Sequence, residues 1–114
     1  MAVIDGQFDK TAKLKDGNTN VVLVGELNGF EDLDVTLHVV VVASNGVVAE
    51  EEIRNPELEP DATGKPKWTI TAPAKDGRAL EAGKAIGYAT AVGTGPEGIK
   101  SWQWHAAGEF ELIS

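Results

Sequence analysis

The sequence predicts an all-β chain built from antiparallel sheets. Three observations predict it: valine-rich runs of strand length, turn signals recurring between them at short intervals, and almost no helical pattern. Valine's branched Cβ suits a pleated strand. Strands joined by hairpins, without helical crossovers, pair antiparallel.

The elements follow in order. Asp16-Gly17-Asn18 is a turn ahead of a strand at 20–27, which Asn28-Gly29 closes. Residues 33–43 are the longest apolar stretch, and Ser44-Asn45-Gly46 leads from it into 47–53. Asn45 and Gly46 both tolerate positive φ, so they predict a type I′ hairpin that pairs 33–43 with 47–53. Residues 55–67 hold Pro56, Pro60, Pro66 and Gly64; proline removes backbone donors, so a loop or short edge crossing is expected. Alternation resumes at 67–72 with Trp68, Ile70 and Ala72 on one face, and Pro73 ends it. Asp76-Gly77 is the next turn. Residues 78–82, bracketed by Gly77 and Gly83, are the one stretch able to form a helical turn. A strand at 83–93 is followed by the turn Gly95-Pro96-Glu97-Gly98, and 99–104 and 109–113 finish the chain, with Gly108 between them.

At 114 residues the chain fits one domain spanning 1–114, large enough to fold without staples. Its apolar fraction of 42% and charged fraction of 25% are those of a globular protein. The net charge is −8, from 18 acids against 10 bases, and no basic stripe offsets it. Such a surface repels phosphate backbones, so nucleic acid is excluded as a partner, while the acid excess favours solubility. The absence of cysteine excludes disulfides, thiolate metal sites and a cysteine nucleophile. Residues 1–6 carry neither the basic stretch nor the apolar run of a signal peptide, and the longest apolar run, 39–43, is too short to span a bilayer. The expectation is no membrane insertion. Three settings fit: a cytosolic protein, an excised domain, or a component of a particle assembled inside a cell.

From Lys67 onward a pattern emerges: Trp68-x-Ile70-x-x-Pro73, then Leu80-x-x-Gly83, an alternating strand, a glycine-rich turn and a closing strand. This resembles the second half of bacterial immunoglobulin-like (Big-type) domains. The first half is compatible, with a turn, Val21-Val22-Leu23-Val24-Gly25 and a long strand from Asp34. The resemblance implies an immunoglobulin-like antiparallel two-sheet β-sandwich of about seven strands. It implies no catalytic residues and no cofactor. Domains of this kind serve as spacers, adhesive modules, appendages to enzymes and decorations on virions, so a virion or cell-surface setting is expected.

One stretch departs from that family. Counted from Gly83, the positions expected inside are Ala85, Gly87, Ala89 and Ala91, all small, with Ile86, Tyr88, Thr90 and Val92 on the other face. Either a bulge shifts the register and exchanges the faces, or the inner face is small and leaves room for tryptophans opposite. In the unshifted register Val40, Val42, Ile86, Tyr88 and Val92 form an outward apolar patch. Left open, that patch is a contact site for a protein partner or for self-association; the alternative is that 55–67 covers it.

Reactive groups are sparse. His38 and His105 lack metal-type spacing, and no G-x-S-x-G elbow accompanies Ser44, Ser101 or Ser114. The acids Glu50, Glu51, Glu52, Glu57, Glu59 and Asp61 include neighbours that alternate faces on a strand, so they read as a solvated, aggregation-resistant edge rather than a calcium site. Gly93-x-Gly95-x-x-Gly98 lacks the following helix that phosphate binding requires, and reads as a hairpin loop. No metal, no cofactor and no enzymatic activity is therefore expected. Trp102 and Trp104 lie two apart and share a strand face, so with Tyr88 or Trp68 they offer an aromatic platform for a sugar ring; the competing reading buries them in the core. The sequence thus predicts a structural or binding module, with a carbohydrate-binding module as the alternative.

Overall fold

The computed structural model describes residues 5–9, 11–28, 33–95 and 101–114, with backbone only for 5–8 and 101–106. The chain is all-β. Its strands are β1 (Asp5–Phe8), β2 (Thr11–Lys15), β3 (Asn20–Asn28), β4 (Asp34–Ala43), β5 (Val48–Arg54), β6 (Glu59–Pro60), β7 (Pro66–Pro73), β8 (Gly83–Thr94) and β9 (Ser101–Ile113). They form one mixed, strongly curled sheet in the order β5-β4-β8-β9-β2-β3-β7-β6, and β1 pairs with β3 along the same edge as β2. The curl brings the two ends of the sheet together at one corner. There Ala49 bridges Ala74, and the Lys75 amide donates to the Val48 carbonyl at 2.9 Å.

This differs from the expected pair of all-antiparallel sheets. The strand β2 pairs antiparallel with β3 and parallel with β9, so one short strand joins what would otherwise be separate layers. It can do so because β1 and β2 are offset pieces. Between them the Asp9 amide donates to Val24 at 2.9 Å, and β2 then pairs only with the first residues of β3.

Period-two alternation builds the core. Val21 and Leu23 of β3, Val35 to Ala43 at every second position of β4, and Trp68, Ile70 and Ala72 of β7 are buried. Leu80 closes the core from the segment at 78–82, which is irregular rather than helical; its amide donates to the Asn18 carbonyl at 2.8 Å. The stretch at 55–67 contributes the two-residue β6, paired at the edge with the start of β7 at Pro66 and Lys67.

Two local expectations are resolved. The strand at 83–93 keeps the unshifted register: Ala85, Ala89 and Ala91 are buried while Ile86 and Tyr88 are exposed. The bulky group filling the space over Gly87 is the Phe110 ring, into which a Cβ at that position would collide. The hairpin between β4 and β5 is not type I′. Only Gly46 has positive φ (82°), Asn45 does not, and the Gly46 amide donates to Ala43 while Ala43 donates to Val47. Ser44, Asn45 and Gly46 form a three-residue loop, for which a first turn with negative φ and a left-handed third residue fit the strand twist. Asn45 is free to anchor the loop outward, its Nδ2 donating to the Ala79 carbonyl at 3.1 Å. The turn at 95–98 lies outside the described residues beyond Gly95. Among the described residues, no helix is long and apolar enough to cross a membrane.

A candidate contact surface on the outer sheet face

The ladder fixes which side chains share the outward face of β5-β4-β8-β9. Val42 lies between Val48 and Ile86, and Val40 between Glu50 and Tyr88. The next rows are Glu52, His38 and Thr90, then Arg54, Thr36 and Val92. Two apolar rows therefore pass into two polar ones. Ile86 is 43% and Tyr88 46% exposed; Val40, Val42 and Val92 are half-buried. The five residues singled out from the sequence thus lie on one face, four of them in adjacent cross-strand pairs, and the 55–67 segment leaves Ile86 and Tyr88 open. Val92 stands apart, in a shallow polar groove with Asp34, Thr36, Glu52, Arg54 and Thr94.

His38 borders the apolar rows. Its Nε2 is 2.7 Å from Glu50 Oε2, and Lys75 Nζ lies 3.2 Å from Glu50 Oε1. The hydrogen bond from His38, and after it that from Lys75, holds the Glu50 carboxyl below the usual carboxylate range. The Thr63 hydroxyl does the same to Asp61, and the Arg78 guanidinium to Asp76. A carboxyl whose folded pKa is depressed adds stability above its unfolded pKa and loses it as the pH falls through the folded one. The melting temperature is therefore expected to fall on acidification below about pH 4.5, and Glu50→Gln to make that fall shallower. Parallel melting curves of the two proteins across this range check it.

Lys75 was not singled out from the sequence, because only the corner between β7 and β5 brings it to Glu50. Glu26 was also missed. It is 6% exposed, with Asn28 Nδ2 donating to its Oε2 at 2.7 Å and Lys65 Nζ 3.8 Å from its Oε1. Its outward place in an alternating strand gave no sign that it would be buried. Among the described residues, no group of three or more His, Asp or Glu side chains forms a metal-binding set.

Trp104 lies opposite Ala91 in the β8–β9 ladder, Trp102 opposite Gly93, and His105 opposite Thr90. Their side chains, and with them the proposed sugar platform, lie outside the described residues. Comparison with protein-family models and with curated proteins yields no match.

Proposed function

We propose that this chain is a non-catalytic immunoglobulin-like module that works by surface contact, as a building block of a virus particle or a cell-surface assembly. The contact surface is the outer face of β5-β4-β8-β9. The observation behind this reading is the pair of cross-strand contacts Val40–Tyr88 and Val42–Ile86, with both β8 side chains more than two-fifths exposed. A contiguous apolar patch costs solubility unless a partner covers it.

The immunoglobulin-like reading is supported by the strand order. Taking β2 as the hinge, β1-β3-β7-β6 and β5-β4-β8-β9 become two layers. The chain passes between layers from β3 to β4, from β5 to β6 and from β7 to β8, as Greek-key sandwiches do. The non-catalytic reading is supported by the setting of His38, which sits on an open sheet face bonded to Glu50. The nearest serine in sequence, Ser44, is beyond the end of β4, about 20 Å along the strand direction.

The test is a soluble paramagnetic agent added to dilute, isotope-labelled protein. Ile86 and Tyr88 signals should be attenuated as strongly as those of exposed Thr71 on β7. Protection of both residues in the dilute chain would mean that the chain covers its own patch, and would end the contact-surface reading.

A further inference from the structure

We infer that the partner of this face is a second copy of the same chain, docked face to face about a two-fold axis that runs along the strands. The inference rests on the contact-surface reading and names its occupant.

Charge is the first reason. The chain carries −8, yet little of that excess is on this face. Among the described residues, the acids Asp34, Glu50, Glu52, Glu109 and Glu111 stand there beside the bases Arg54, Lys75 and Lys84, an excess of two. Two copies meeting here bring together only a small part of the chain's net charge.

The second reason is that the flanks are self-complementary. Beside β5 lies Lys75, held next to Val48 by its backbone bond. On the opposite flank, β9 carries exposed Glu109 and Glu111, opposite Ile86 and Lys84. A two-fold axis along the strands, between β4 and β8, exchanges the flanks and preserves the rows. It lays Val42 over the Ile86 of the second copy and Val40 over its Tyr88, and it carries Glu109 toward the second copy's Lys75. An axis across the strands through the Val40–Tyr88 row would lay Val42 and Ile86 on His38 and Thr90 instead.

The third reason sets the strength. Four strands about 4.8 Å apart and about 33 Å long give a footprint of roughly 600 Å². A stable interface takes about 800 Å² from each partner. The dimer should therefore be weak and reversible, and it should tighten with salt as the repulsion between the remaining acids is screened.

Sedimentation equilibrium of the whole chain from about 10 μM to about 1 mM, at low and high salt, tests this. A monomer–dimer equilibrium is expected, weakened at least tenfold by Tyr88→Glu and by Ile86→Lys and unchanged by Thr71→Glu on β7. Circular dichroism confirms that these exposed-site variants fold. Monomer at every concentration overturns the inference, and so does a dimer that survives both β8 substitutions. Paramagnetic attenuation of the same sample separates the two proposals. An open face on a strict monomer removes only the second copy, whereas a shielded face on a monomer removes the contact surface as well.

Discussion

Truncating Trp68 to alanine is expected to cost about 3–5 kcal/mol, the range for deleting a fully buried aromatic ring. Trp68 has no exposed surface and is the largest of the fully buried side chains. It sits on β7 opposite Gly25 of β3, so the residue across the ladder has no side chain with which to refill the hole. Native domains are stable by only about 5–15 kcal/mol, so most of the margin goes with the indole. Urea unfolding followed by circular dichroism should show a midpoint lower by more than about 1 M, given a slope of roughly 1–3 kcal/mol/M. A loss under about 1 kcal/mol would mean that the indole is not part of a close-packed core.

The burial of Trp68, Ile70 and Ala72 was legible because alternation is a local code: one face of a strand needs no knowledge of its neighbours. The same code placed Ile86 and Tyr88 on the face opposite Ala85 and Ala89, and the ladder then put Val40 and Val42 beside them. What alternation cannot encode is which strands meet. The parallel pairing of Thr11–Lys13 with Glu111–Ile113 joins the two ends of the chain, and nothing local in Thr11-Ala12-Lys13 announces it. The corner that delivers Lys75 to Glu50 is of the same kind. The Asn45-Gly46 error had a different source. The dipeptide was right for a hairpin, but loop length selects turn type, and the length depends on where pairing stops, here at Ala43 and Val47.

Gly87 gives the sharpest test of how the inner and outer faces of β8 depend on one another. Glycine to alanine at a strand position with ordinary φ usually stabilises a protein by about 0.4–1 kcal/mol, because the unfolded chain loses freedom. Gly87 and its ladder partner Gly108 both lack positive φ. A Cβ at Gly108 meets nothing within 4 Å, while one at Gly87 runs into the buried Phe110 ring. The sign should therefore split: Gly108→Ala neutral or stabilising, Gly87→Ala destabilising by about 1–3 kcal/mol through overpacking. Phe110→Leu removes the ring atoms that collide, so Gly87→Ala in that background should cost little, a coupling of about 1–3 kcal/mol in the double-mutant cycle. Additive losses would show that the ring does not set the fit at Gly87. Because Ile86 and Tyr88 flank Gly87 on the same strand, a ring forced aside by the new methyl presses on the backbone that presents both. Gly87→Ala should accordingly weaken face-to-face association, with Gly108→Ala as the measure of what a neighbouring methyl does without the collision.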